Sequence, residues 1–185
     1  MASELNNDKK AWSVLIVSTL AFTVCFMVWM MFGVIGIPIK KALDLNSTQF
    51  GLLMATPVLT GSLVRVPLGI WTDRFGGRIV MALLMATTVP AIWLMSYATA
   101  YWHFLTIGLF VGLAGGSFSV GTPYVARWFP KHRQGMAMGV YGAGNSGAAV
   151  NKFVAPVLLV AFGWTMVPQV YAAIMLGTVV LFWLF

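Results

Sequence analysis

The stretch Gly69-Ile-Trp-Thr-Asp73-Arg74-Phe-Gly76-Gly-Arg78 decides how this chain is read. It is a short polar turn, with one acid, two bases and a glycine pair, set between apolar runs at about 48–71 and 79–98. Glycine just past a helical run ends it, and a carboxylate just before the next run is placed to cap that helix at its positive end. Asp73 is therefore expected to cap the third helix. Arg74 and Arg78 are expected to hold the loop on the cytoplasmic side of a membrane, where basic residues are retained.

Outward from this turn the same pattern repeats. Apolar runs lie at about 11–38, 48–71, 79–98, 102–127, 134–162 and 167–185, after a polar segment 1–10. A spanning helix needs about 20 mainly apolar residues, because each residue rises about 1.5 Å through a hydrocarbon core about 30 Å thick. With 60% hydrophobic and 8% charged residues and a mean hydropathy of +0.90, the solvent is lipid. The expected fold is an all-α membrane protein with six transmembrane helices in one bundle over 11–185. Asn46-Ser-Thr48 carries side-chain oxygens suited to cap the second helix. Arg127-Trp-Phe-Pro-Lys-His-Arg133 links the fourth and fifth, and Gly163 and Pro168 bracket the last turn.

The net charge of +7 sits in clusters between apolar runs, which makes it a topology signal and excludes a nucleic-acid partner. With the amino terminus inside, inner segments hold Lys9, Lys10, Arg74, Arg78, Arg127, Lys131 and Arg133, and outer ones only Lys40 and Lys41. That asymmetry predicts a multi-pass protein of the cytoplasmic (inner) membrane with a cytoplasmic amino terminus. The apolar run from Ala11 is too long for the h-region of a signal peptide and reads as an uncleaved first span. Lone Cys25 has no partner and behaves as a small hydrophobe. The sixth run stops at Leu181-Phe-Trp-Leu-Phe185 without a polar anchor, so the chain is expected to continue beyond it, with a further set of helices if the protein is built from repeats.

Arg65 lies mid-run in Gly61-Ser-Leu-Val-Arg-Val-Pro-Leu-Gly69, where a guanidinium costs at least ~2.5–3.5 kcal/mol unless paired or hydrated. No acid lies within a run to pair with it, since Glu4, Asp8, Asp44 and Asp73 all fall at ends or loops. A planar fork of donors suits a small planar oxyanion such as nitrate, nitrite, formate or a carboxylate; the structural alternative is an arginine bonded to helix carbonyls. In the fifth run, Gly135-Met-Ala-Met-Gly139-Val-Tyr-Gly142-Ala-Gly144-Asn-Ser-Gly147 is dense in glycine. Gly135 and Gly139 have the spacing of a helix-packing surface. Asn145 among the glycines is an amide that can reach a ligand or bridge helices. Lys152, seven residues on, shares its helix face or snorkels to an interface. Phe118 can stack on a flat anion, although an aromatic in such a helix is ordinarily core or lipid-facing.

Neither His103 nor His132 has a companion at metal-ligand spacing. There are no paired carboxylates, nucleophile elbow or P-loop. Enzyme activity, a metal and a cofactor are not expected.

The Gly69–Arg78 stretch resembles the signature between helices two and three of the major facilitator superfamily, with Ile79 in place of an optional last base. In that signature Asp73 with Arg74, Gly76 and Arg78 is positioned to latch one conformation. Arg65-Val-Pro-Leu-Gly69 and Gly142-Ala-Gly-Asn-Ser-Gly147 resemble the substrate arginine and glycine-rich signature of the nitrate/nitrite porter family. The likeness extends through Trp29-Met-Met-Phe-Gly-Val-Ile-Gly-Ile-Pro38 and Asn151-Lys-Phe-Val-Ala-Pro156.

That resemblance implies a secondary transporter of nitrate or nitrite, working by alternating access. It implies that Arg65 binds the anion, that Asn145 beside Gly144 hydrogen-bonds it, and that Phe118 walls an aromatic clamp. Gly69, Gly142 and Gly147 are implied to serve the conformational change. Members of the family have twelve helices and a second substrate arginine in the other half, so the chain is expected to be the amino-terminal half, with a carboxy-terminal six-helix half as partner. Two rivals stay open: a transporter of formate or another carboxylate on the same fold, and a six-helix channel or scaffold.

Overall fold

The computed structural model describes the backbone of residues 2–185 and the side chains of 8–185. Glu4 and the other side chains of residues 1–7 lie outside the described residues. Among the described residues ten α-helices follow one another: α1 (Ala2–Trp29), α2 (Phe32–Ala42), α3 (Ser47–Leu63), α4 (Arg65–Phe75), α5 (Gly77–Met95), α6 (Tyr101–Val111), α7 (Ser117–Ala126), α8 (Lys131–Gly142), α9 (Gly147–Phe162) and α10 (Met166–Leu184). No strand occurs among the described residues. Joined end to end, they make six helices long and apolar enough to cross a membrane: Asp8–Ala42, Ser47–Phe75, Gly77–Met95, Tyr101–Ala126, Lys131–Phe162 and Met166–Leu184.

The ends of these helices follow local chemistry. Asn46 Oδ1 accepts from the Gln49 amide at 2.9 Å while Gln49 Oε1 accepts from the Asn46 amide at 3.0 Å. This reciprocal cap satisfies two of the amides a helix start leaves bare. The first span runs on to Ala42, beyond the apolar run that stops near 38. Lys40 and Lys41 occupy its last turn, where cations meet the negative end of the helix dipole. Gly76, at φ 87°, ends α4 and lets α5 begin at the next residue, a backbone conformation that carries no Cβ penalty only in glycine.

The outer faces are apolar: Val160 is 87% exposed and Phe153 77%. Such a surface would aggregate in water and is the lipid boundary of a membrane protein. Hydroxyls inside the spans turn back on their own helices, as Thr19 does to the Leu15 carbonyl, Thr72 to Leu68 and Thr88 to Leu84, each at 2.7 Å. Lipid offers them no other partner. The main core joins α1 and α2 to α5, α6 and α10, around Val28, Phe32, Met85, Ile92, Phe104 and Met175. A smaller core at one end packs Leu15 and Phe22 against Val125, Phe129 and Tyr141.

Candidate anion site

Four of the six spans are interrupted, and the other two are not. The first breaks at Met30–Met31, the second at Val64, the fourth in a 3₁₀ turn at Gly112–Gly116 and the fifth in another at Ala143–Ser146. The third and sixth run unbroken through Gly77–Met95 and Met166–Leu184. The break at Val64 has a direct cause: Pro67 has no N–H for the Leu63 carbonyl four residues earlier. In the fourth and fifth spans glycine clusters tighten the coil. Continuous hydropathic runs hid all four breaks. Irregular backbone at membrane depth persists where it is buried in protein or lines a cavity, and mid-helix 3₁₀ turns often mark functional hinges.

Arg65 opens α4 directly after one of these breaks, and its side chain is exposed. Its guanidinium carbon lies 6.0 Å from the centre of the Trp29 ring, within range of a cation–π attraction. The indole is itself fixed, donating Nε1–H to the Pro57 carbonyl at 2.9 Å. A Cβ on Gly61 would stand 2.8 Å from Nε1, and one on Gly115 2.6 Å from Cε2. Glycine at both places makes the slot that holds Trp29.

From Trp29 an aromatic column runs down α1. Trp29 and Phe26 lie 5.3 Å apart between ring centres, Phe26 and Phe22 5.6 Å, and Phe22 stacks on Tyr141 at 5.0 Å with 20° between planes. Phe118, 42% exposed, leans on Phe22 at 5.6 Å and on Tyr141 at 6.2 Å. Tyr141 is held by a hydrogen bond from its hydroxyl to the Ser117 carbonyl at 3.1 Å and packs over Gly121, where a Cβ would collide with its ring. Phe118 is thus packed on the flank of the column with part of its ring left open.

Asn145 lies in the 3₁₀ turn of the fifth span, exposed, with Nδ2 donating to the Gly142 carbonyl at 2.8 Å. That bond fixes the amide and leaves the second Nδ2 hydrogen and Oδ1 for other partners. The turn sits hard against α1. A Cβ on Gly144 would run into the Phe22 ring, and one on Gly147 into the Thr23 carbonyl, with Met27 N only 2.9 Å away. Phe118 and, through Gly144, the turn that carries Asn145 therefore both meet Phe22. Arg65 stands at Trp29, seven residues and roughly 10 Å of helical rise along the same face.

Other expectations are placed differently. Gly135, Gly139, Gly142 and Gly69 have nothing within 4 Å of an added Cβ among the described residues, so the Gly135–Gly139 spacing makes no helix contact among them. Lys152 is exposed next to buried Asn151. Asp73 does not cap the third helix: the N-cap is Gly76, without a side-chain bond. Its carboxylate instead accepts from Arg127 Nη2 at 2.8 Å, because the glycine pair turns the chain before α5 begins. Arg78 donates to the Trp183 carbonyl and lies over that indole at 5.3 Å. Arg74 is exposed in the last turn of α4.

Sequence reasoning missed Trp29, Phe26, Phe22 and Tyr141. The first three recur at i, i+4 and i+7, which is the signal of one helical face. It also missed Asn151, buried at 2% exposure, whose Nδ2 donates to the Met30 carbonyl at 2.9 Å and whose Oδ1 accepts from the Tyr171 hydroxyl at 2.8 Å. That amide ties the sixth and fifth spans to the break in the first. A mid-span amide always needs such a partner.

Known proteins resemble this chain in both sequence and shape. It is 44% identical to a probable nitrate/nitrite antiporter, NarK1, of Thermus thermophilus, over 88% of this chain and 39% of that protein. It is 36% identical to a nitrite extrusion protein of Bacillus subtilis (strain 168), over 83% of this chain and 39% of the relative. With a probable nitrate transporter, NarT, of Staphylococcus carnosus it shares 34% over 91% and 44%. The chain thus spans about two fifths of the length of these relatives. Among solved structures, a bacterial homolog of the human lysosomal transporter Spinster, in an inward-facing and unoccupied conformation, superposes with a TM-score of 0.81. That match has 19% identity and covers 94% of this chain and 42% of that one. The inward-open xylose transporter XylE from E. coli gives a TM-score of 0.74 at 17% identity, over 95% and 48%. The family model described as Major Facilitator Superfamily matches residues 17–185. With the interrupted spans, the Asp73–Arg127 ion pair and these likenesses together, this multi-pass membrane chain belongs to the Major Facilitator Superfamily.

Proposed function

We propose that this chain is the amino-terminal half of a secondary transporter that carries nitrate, nitrite or both across the cytoplasmic membrane by alternating access. The observation that carries the reading is Arg65, an exposed guanidinium at a helix break, beside an aromatic column that runs from Trp29 to Phe22 and Tyr141, against which the turn of Asn145 packs through Gly144. Neither ion pair between described side chains reaches it: Asp73 pairs with Arg127, and Asp8 with Arg133 at 3.3 Å. A monovalent planar oxyanion supplies the missing charge, matches the fork of donors and presents a flat face to a ring. In this reading the anion lies between Arg65 and the Asn145 amide, over half-buried Phe26, with Phe118 closing one side.

The relatives described as nitrate and nitrite transporters support this choice of anion. The second wall of the cavity comes from a carboxy-terminal six-helix half. Gly135, Gly139 and Gly142, whose surroundings are open, form the smooth stripe against which that half slides. The breaks in the first, second, fourth and fifth spans let the two halves rock about the midplane. Lys9, Lys10, Arg74, Arg78 and Arg127 put the amino terminus in the cytoplasm. No chemical step is needed, so the protein is a carrier and not an enzyme.

The test is competition. Full-length protein reconstituted in liposomes should take up labelled nitrate, and nitrite should displace it far better than formate does. Asn145→Ala should weaken nitrate by about tenfold, the loss of one hydrogen bond to a charged group, with insertion intact. Formate outcompeting both oxyanions of nitrogen would move the assignment to the carboxylate rival.

A further inference from the structure

We infer that Asn151 is a positioning residue for the transported anion: it makes the break in the first span, and through that break it aims Trp29 at Arg65. The inference rests on the reading of Arg65 as the partner of the anion. The breaks in the second, fourth and fifth spans have their cause in their own sequence, a proline or a cluster of glycines. The break at Met30–Met31 does not. It is followed by Met31-Phe-Gly-Val-Ile-Gly-Ile37, with the two glycines apart, and the first proline is Pro38. The N–H that Pro38 lacks would have gone to the Val34 carbonyl, a turn beyond the break. A helix interrupted without a proline or a glycine pair is one whose ladder a side chain or a water has entered. Here the side chain is Asn151.

Its Nδ2 donates to the Met30 carbonyl at 2.9 Å, and its Oδ1 accepts from the Tyr171 hydroxyl at 2.8 Å. A carbonyl can only accept, which turns Nδ2 toward Met30 and leaves Oδ1 for the hydroxyl. Both side chains are buried, so neither has surface to offer an anion. Around the captured carbonyl the backbone bonds tighten to the three-residue spacing of a 3₁₀ turn. Met31 N donates to the Val28 carbonyl at 3.1 Å, Gly33 N to Met30 at 3.1 Å and Val34 N to Met31 at 3.0 Å. In an unbroken helix the Val34 amide would donate to the Met30 carbonyl; Asn151 takes its place. Trp29 is the last residue of α1, next to that carbonyl. Its indole reaches the Pro57 carbonyl at 2.9 Å and lies 6.0 Å from the Arg65 guanidinium. The pitch at the break therefore sets where the ring stands, and the close walls at Gly61 and Gly115 leave it little room to compensate.

The test removes the amide and the hydroxyl together in full-length protein, as Asn151→Leu with Tyr171→Phe. Taking away both partners leaves only the Met30 carbonyl short of a bond, and that carbonyl keeps Gly33. Met30–Met31 is the one Met-Met pair in this sequence, so methionine labelled at its carbonyl carbon and its nitrogen gives a correlated magnetic-resonance signal for the Met30 carbonyl, assigned by its loss in Met31→Leu. The paired variant should melt close to the parent and move that signal upfield. It should bind nitrate about tenfold more weakly by isothermal titration, a loss in the range of a slightly misplaced partner. A merely structural role would move the melting curve and leave the affinity alone. In Trp29→Phe protein, whose ring has lost its bond to Pro57, the same pair should weaken nitrate by less than about twofold more, because the effect runs through that ring. An unmoved carbonyl signal, nitrate binding within about twofold of the parent, or the full loss repeated on top of Trp29→Phe would each overturn the inference. A parent protein that binds no nitrate would instead remove the anion reading, and the carbonyl signal would then decide by itself whether Asn151 holds the break.

Discussion

Replacing Gly147 with alanine tests the site through its backbone and leaves every polar group in place. The added methyl would meet the Thr23 carbonyl at well under contact distance, Met27 N at 2.9 Å and Thr23 C at 3.0 Å. All three are backbone atoms of α1, so no rotamer change relieves the clash. Restoring ordinary contact requires α9 and its preceding turn to move away from α1 by something on the order of 1 Å. Overpacking of this kind costs about 1–3 kcal/mol, more than the ~1 kcal/mol that alanine gains over glycine in a helix. Asn145, two residues upstream in the same turn, moves with it relative to Phe22. A displacement near 1 Å lowers a positioned interaction by as much as ~10²-fold. Nitrate binding to full-length Gly147→Ala protein should therefore fall by about ten- to a hundred-fold. Gly142→Ala, with open space around it, should fold with the native spacing of α1 and α9. Isothermal titration in detergent, with a melting curve for each variant, measures both. If Gly147→Ala binds nitrate within twofold of the parent, the turn is not the element that places Asn145, and the reasoning fails.

Arg65→Lys keeps a charge beside Trp29 and removes the fork; uptake in liposomes should drop by about tenfold or more, since a point charge does not replace bidentate geometry. Tyr171→Phe removes the hydroxyl bound to Asn151 and should destabilise the fold by about 0.6–1.7 kcal/mol, the range of hydrogen bonds inside membrane bundles, read by unfolding in mixed micelles. Asp73→Asn breaks a pair whose side chains are 67% and 54% exposed, so its effect on stability should stay below about 1 kcal/mol. In the proposed alternating-access cycle, a pair of that size made in one conformation only shifts two conformations by roughly fivefold. Cysteine accessibility of the two cavity faces should therefore change in this variant while its melting temperature hardly moves.

Much of this protein is legible in one dimension. Lipid rewards twenty-residue apolar runs and penalises charge, so six runs, with the basic residues clustered at their ends, can be counted along the chain. The place of Arg65 inside a run is legible for the same reason, since a guanidinium there stands out against the apolar residues around it. The Asn46 cap was likewise local, since a cap involves residues three apart. The interruptions at Met30–Met31, Val64, Gly112–Gly116 and Ala143–Ser146 were not legible, because hydropathy averages over a turn of helix and is blind to its pitch. Nor was the partner of Asp73. Only the folded chain brings Arg127, 54 residues away, within reach of it. The aromatic column depends on which face of α1 turns inward, and the glycine slots for Trp29 and for the Asn145 turn depend on how closely the second, fourth and fifth spans approach it. Composition and local periodicity determined that this chain crosses a membrane and where its charges must lie. The tertiary structure decided which of its glycines are contacts, where Asp73 spends its charge and what surrounds Arg65, because those are distances between segments that share no neighbourhood in sequence.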